Sequence, residues 1–223
     1  ARELMDTWMV AGLLAVTSVT TTMGAYGIMI DDKSKKIERD FIASPVKRRS
    51  LLGGYMASAV VIGIVMSFIT LILAEVYLLA GGGTLPSIPV LLETTGLILL
   101  STVANSAMVL FLVSFFQSSN AFATASTVIG TLIGFLTGIY IPVGTLPEAV
   151  QFVIKCFPTS HAAVLFRKVL MEQQLEASFA GAPAETASEF EEFLGVTFRF
   201  GDTPLSSLAS IAVLIGTAIL FYA

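Results

Sequence analysis

Residues 31–50 read DDKSKKIERDFIASPVKRRS. Seven of the chain's twelve Lys and Arg residues fall in this stretch: Lys33, Lys35, Lys36, Arg39, Lys47, Arg48 and Arg49. Long apolar runs, Leu4–Ile30 and Leu51–Ala80, lie on either side. Membrane proteins retain Lys- and Arg-rich loops on the cytoplasmic side. Residues 31–50 are therefore predicted to be a cytosolic loop, and the runs beside it to be membrane spans.

The whole composition agrees. Of 223 residues 55% are hydrophobic and 13% charged, with a mean hydropathy of +0.87. A soluble domain carries about 25% charged residues, so this chain cannot cover a water-facing surface. The net charge of −4 conceals a polarity. Residues 31–50 hold seven bases and four acids, whereas residues 171–205 hold seven acids and one base, Arg199. That asymmetry has a sidedness meaning and gives no reason to expect nucleic acid. One cysteine, Cys156, excludes a disulfide framework or a cysteine metal site within the chain. Apolar sequence reaches both printed ends, which predicts a fragment of a longer membrane protein.

The remaining runs predict an all-α, polytopic helical membrane protein forming one permease-like domain over residues 1–223. After Leu51–Ala80, a short loop with Pro86 and Pro89 precedes Leu91–Phe116. A polar turn at Gln117–Asn120 leads to Ala121–Ile141, which stops at Pro142. Thr145–Leu170 is apolar but interrupted by Pro158. It is expected to form an external re-entrant hairpin of two helices of roughly 10–12 residues, each too short to cross. Thr145 and Glu148 have capping-box spacing about Pro147, and Thr159 and Ser160 are positioned to cap the second helix. The acidic loop 171–205 is then external; the alternative, that Thr145–Leu170 crosses, puts it in the cytosol, and the proline and the charge bias favour the hairpin. Leu205–Ala223 becomes the fifth visible span.

Several side chains suggest function. Asp31 or Asp32 is expected to cap a short cytosolic helix ending at Ser44-Pro45, with Ile37, Phe41 and Ile42 on one face. That ridge suits a groove on a soluble partner or a bed of anionic headgroups. Gly130, Gly134 and Gly138 form a small-residue ladder, suited to a helix-packing or dimer face. Ser101, Thr102, Asn105 and Ser106 line one side of the third span, and face either protein partners or a water-lined pathway. Glu75 and Glu93 lie near outer span ends, where solvation is expected. His161, the single histidine, follows the proline break. Lys155, Arg167 and Lys168 are expected to snorkel outward. There is no phosphate-binding loop, and no nucleophile–base pair is legible. The chain is read as no enzyme, with no cofactor or metal of its own.

Two stretches carry a family resemblance. KIERDFIASPVKRRSLLGGY (Lys36–Tyr55) resembles the coupling-helix region of type-2 ATP-binding-cassette exporter permeases. FLTGIYIPVGTLPEAVQFVIKCFPTSHAAVLFR (Phe135–Arg167) is similar to the same family's last outward span and external hairpin. The resemblance implies a six-span subunit, five spans of which are visible. It also implies a second permease subunit, and a cytosolic ATPase partner that binds ATP and Mg. It places Lys36, Ile37, Glu38, Arg39, Asp40 and Phe41 against that ATPase, and Pro142, Pro147, Pro158 and His161 in an external gate. Arg39-Asp40 replace the family's Gly-Thr, and the family's first span is absent. The expected localisation is a multi-pass protein of a bacterial plasma membrane. The expected function is ATP-driven export by alternating access. An ion-coupled carrier or channel, and a membrane anchor or sensor, are the alternatives.

Overall fold

The computed structural model describes residues 2–37, 47–180, 183–201 and 203–222. Eight α-helices form over these residues: α1 (Arg2–Ser34), α2 (Arg48–Ala80), α3 (Ile88–Ser114), α4 (Ser119–Leu136), α5 (Glu148–Cys156), α6 (Pro158–Ser178), α7 (Ala184–Leu194) and α8 (Ser207–Tyr222). A 3₁₀ turn, Val143–Thr145, precedes α5. A two-residue antiparallel ladder, Arg199–Phe200 with Thr203–Pro204, precedes α8. The all-α, polytopic expectation therefore holds. Four helices are long and apolar enough to cross a membrane, or five if the bent pair α5–α6 counts as one span. The expected fifth span, α8, has 16 residues.

α1 is the hub and packs on α2, α3, α4 and α6. Its 33 residues rise about 50 Å at 1.5 Å per residue, against a hydrocarbon core of about 30 Å. It extends beyond Ile30 to include Asp31–Ser34, so neither Asp31 nor Asp32 caps a new helix as expected. Asp32 instead accepts the Tyr55 hydroxyl of α2 at 2.5 Å. The helix gives way to a turn in which Lys36 adopts a left-handed φ of 60°.

The central cluster combines Ala11, Leu14 and Ala15 of α1 with Ile98 and Ala104 of α3 and Ala162, Ala163 and Phe166 of α6. Alanines on three helices let the backbones come close, and in lipid dispersion contacts of this kind hold helices together. A second cluster, Val19, Met23, Tyr26, Ile30, Val109 and Ile133, continues toward the basic end. The outer faces of α2 and α8 present Val61, Ile72, Leu73, Leu208 and Leu220, all more than half exposed, as a lipid-facing surface requires.

The proline break is present, and α5 and α6 meet at 87°. Pro158 occupies the first turn of α6, and Phe157 before it is extended (φ −86°, ψ 125°), as a residue preceding proline prefers. The halves are not equal. α5 has nine residues, but α6 has 21 and its Thr159–Arg167 stretch is buried. α6 is thus a core helix, and it absorbs the first part of the acidic segment. The expected caps are also replaced. Pro147 and Phe157 occupy the N-cap positions without side-chain bonds, and Thr145 donates to the Pro142 carbonyl.

Candidate functional site

At the basic end the tip of α1 is tied to α2, α3 and α4. Ser34 of α1 shares a hydrogen bond with Ser119 of α4 (2.9 Å). Lys33 donates to the Phe116 carbonyl after α3 (3.4 Å), and Tyr55 bonds Asp32. Lys35, Lys36, Ile37, Lys47 and Arg49 are exposed around this platform. Glu38, Arg39, Asp40 and Phe41 lie outside the described residues, as do Ser44 and Pro45.

Between α1 and α4 runs an open cleft of about 560 Å³, lined by Thr20, Gly24 and Gly27 from α1 and by Asn120, Ser126 and Gly130 from α4. The glycine ladder does not survive as one face. Gly130 borders the cleft, with nothing within 4 Å of where a Cβ would be. Gly134 is buried under the chain's own Tyr140, and an added Cβ would collide with that ring. Gly138 lies beyond the helix, in a left-handed turn at φ +67°. Thr124, Thr127 and Thr131 satisfy their hydroxyls on carbonyls of their own helix.

The polar side of α3 faces protein. Asn105 is fully buried; it donates to Ser18 Oγ of α1 (2.7 Å) and accepts from Thr159 Oγ1 of α6 (2.8 Å). Ser106 shares a hydrogen bond with Tyr26 (2.9 Å). Ser101 is buried and donates to Ile98 O. Asn105 therefore bridges α1, α3 and α6, whereas Ser101 bonds only within its own helix; both are engaged with protein rather than with the cleft. Thr159, expected as a cap, serves this network.

The strongest departure is Arg167. It is 1% exposed and does not snorkel. Nη2 donates to Thr137 O (2.9 Å) and Gly138 O (3.2 Å), and Nη1 to Gly195 O (3.3 Å). Its Cζ sits 4.9 Å from the Trp8 ring centroid. These carbonyls belong to the C-terminal ends of α4 and α7. Gly138 and Gly195 are both left-handed (φ +67° and +69°), as a helix closing on glycine requires. After α4, Gly138 N–H bonds Phe135 O and Ile139 N–H bonds Gly134 O, each at 3.0 Å. The negative ends of two helix dipoles thus converge on one guanidinium. Trp8 Nε1 adds a bond to Leu194 O (2.8 Å). A lone arginine in an apolar run looks like a snorkelling residue, and only the Gly-terminated helices folding back over it show otherwise.

His161 is also buried. Its Nε2 bonds the Lys155 carbonyl (2.9 Å) and its Nδ1 contacts Ser210 Oγ (3.2 Å). A carbonyl only accepts, so Nε2 carries the hydrogen. His161 thus pins α6 to α5 and α8. Pro142, Pro147 and Pro158 each sit at a helix start. Lys155 and Lys168 donate to the Arg199 and Leu205 carbonyls. Glu93 is exposed as expected, but Glu75 is only 8% exposed and so is not solvated. Gly63 escaped notice in the sequence. An added Cβ there would approach the Thr102 and Thr22 methyls to 2.6 and 2.8 Å, so α2 crosses α1 and α3 closely at this point. Among the described residues, no three His, Cys, Asp or Glu side chains group to hold a metal.

Comparison with known proteins adds one positive finding. A family model described as ABC-2 family transporter protein matches residues 4–223. No curated protein matches the chain.

Proposed function

The chain belongs to the ABC-2 transporter family, and on that premise we propose that it is the permease subunit of an ATP-driven exporter. It is a multi-pass membrane component of a transporter, and its family implies pairing with an ABC ATPase. In the proposed mechanism ATP and Mg are held by that separate subunit. The basic segment 31–50 is the handle the ATPase grips from the cytosol, through Lys36, Ile37, Glu38, Arg39, Asp40 and Phe41. The acidic region 171–205 and the hairpin with Pro142, Pro147, Pro158 and His161 face outward and border the gate.

One observation carries this reading. α1 leads straight into the basic segment and packs on α2, α3, α4 and α6. A push on its foot is transmitted to every helix it touches, because packed helices move as rigid bodies. The cleft beside α1, with Gly24, Gly27 and Gly130, supplies a surface for a second permease subunit or for substrate, which alternating access requires.

The test uses the assembled transporter. Exchanging the charges of Glu38 and Arg39 is expected to abolish substrate-stimulated ATP hydrolysis while membrane insertion is retained. Unchanged stimulation rejects the docking role.

A further inference from the structure

The buried carboxylate of Glu75 belongs to none of the hydrogen-bond networks described above. It sits five residues before the end of α2 and is 8% exposed. Its Oε2 has no hydrogen-bond partner, and neither does Gln174 Oε1 of α6. Both residues line one cavity, together with Glu3 and Thr7 of α1 and with Gln173. Thr7 already donates its hydroxyl hydrogen to Glu3 O (2.9 Å), which leaves its oxygen able only to accept. The cavity measures about 30 Å³, and one water needs about 10–15 Å³ of such space. It therefore holds one or two small species and no organic molecule.

The chemistry of the lining selects among them. Its buried unpartnered atoms, Glu75 Oε2 and Gln174 Oε1, are acceptors, and Glu3 of the same lining is exposed to solvent, which leaves Glu75 as the one buried acid. Among the described ion pairs, none involves Glu75. A trapped water satisfies hydrogen bonds but leaves the carboxylate charge uncompensated, and an unpaired charge in apolar surroundings is costly. A divalent ion prefers six or more oxygens with several carboxylates. A single buried carboxylate with neutral oxygens balances a single positive charge.

We propose that Glu75 and Gln174, with Thr7 beside them, form a binding site for a small monovalent cation that joins α1, α2 and α6 at the acidic end of the bundle. Occupancy draws three helices together around one ion, so it stabilises the native state by mass action. This site stands apart from the ATPase docking reading and is tested without the partner.

The experiment follows thermal unfolding of the purified full-length permease in detergent. NaCl is titrated against choline chloride at constant ionic strength and pH. The expected result is a saturable rise in Tm with sodium and none with choline. Glu75→Gln abolishes the sodium response, whereas Glu93→Gln, an exposed acid on α3, leaves it intact. A wild-type Tm that is the same in sodium and choline overturns the proposal, and indicates that water or a proton meets the need. A sodium response that persists undiminished in Glu75→Gln also overturns it. The wild-type titration decides the matter even if the Glu75 variant does not fold.

Discussion

Replacing Arg167 with methionine keeps most of the side-chain volume and removes the charge. The Thr137, Gly138 and Gly195 carbonyls, now at 2.9, 3.2 and 3.3 Å from guanidinium nitrogens, then lose their donors with no water to replace them. Hydrophobic replacement of a buried ion pair is often neutral because both charges go together. Here the partners are backbone, so they stay behind as unpaired acceptors, each costing about 1–3 kcal/mol. Relief of the arginine's own desolvation offsets part of this. A net loss of roughly 3 kcal/mol follows, near the lower end for breaking a buried charged network. For a chain of this size that lowers Tm by about 6–12 °C. Arg167→Lys should fall between the two, because an ammonium cannot fork to two helix ends. The assay is thermal unfolding in detergent followed by the emission of Trp8, the only tryptophan, which stacks on this guanidinium. A loss below about 1 kcal/mol for Arg167→Met, the range of ordinary surface changes, refutes the lock and returns Arg167 to the snorkelling class.

Gly63→Val should destabilise by about 1–3 kcal/mol through overpacking, since its Cβ meets the Thr102 and Thr22 methyls; Gly53→Val, where a Cβ meets nothing within 4 Å, serves as the tolerant control in the same melting assay. Asn105→Leu should cost about 1–2 kcal/mol, the upper range for interhelical hydrogen bonds in lipid, while the folded variant keeps the wild-type transport rate; a selective loss of transport at unchanged stability would reinstate a pathway role. Cys156 is exposed and is expected to react with a membrane-impermeant maleimide from outside sealed cells, whereas a cysteine placed at Lys47 in a Cys156→Ser background reacts only after permeabilisation. The opposite pattern inverts the proposed topology.

The spans were legible because a membrane imposes a one-dimensional rule. Every helix in hydrocarbon must be long and apolar, so Leu51–Ala80 and Leu91–Phe116 announce themselves residue by residue. Pro158 gave the hairpin break for the same local reason, a steric clash with the residue before it. The boundaries erred where a neighbour decided. α1 runs on through Asp31 and Asp32 because Tyr55, Ser119 and the Phe116 carbonyl are at hand to receive its polar end. α6 runs to Ser178 because Trp8, Met171 and Leu175 form a buried cluster over its second half.

Side-chain roles were harder to read, since spacing along one helix does not say which neighbour covers it. Gly130, Gly134 and Gly138 share a period but meet three different surroundings. For Asn105 the spacing favoured a network but left a water-lined path open, and Ser18 and Thr159 are what meet it.

By itself the sequence determined the class, the long spans, the broken hairpin and the uneven distribution of charge along the chain, because each follows from local composition and from transferring local segments between water and lipid. Only the tertiary structure decided that Arg167 closes two helix ends, that Asn105 is structural and that Glu75 is buried. Those outcomes depend on which polar groups meet across helices far apart in the chain, and in a low-dielectric interior that pairing determines whether a polar side chain is an anchor, a site or a cost.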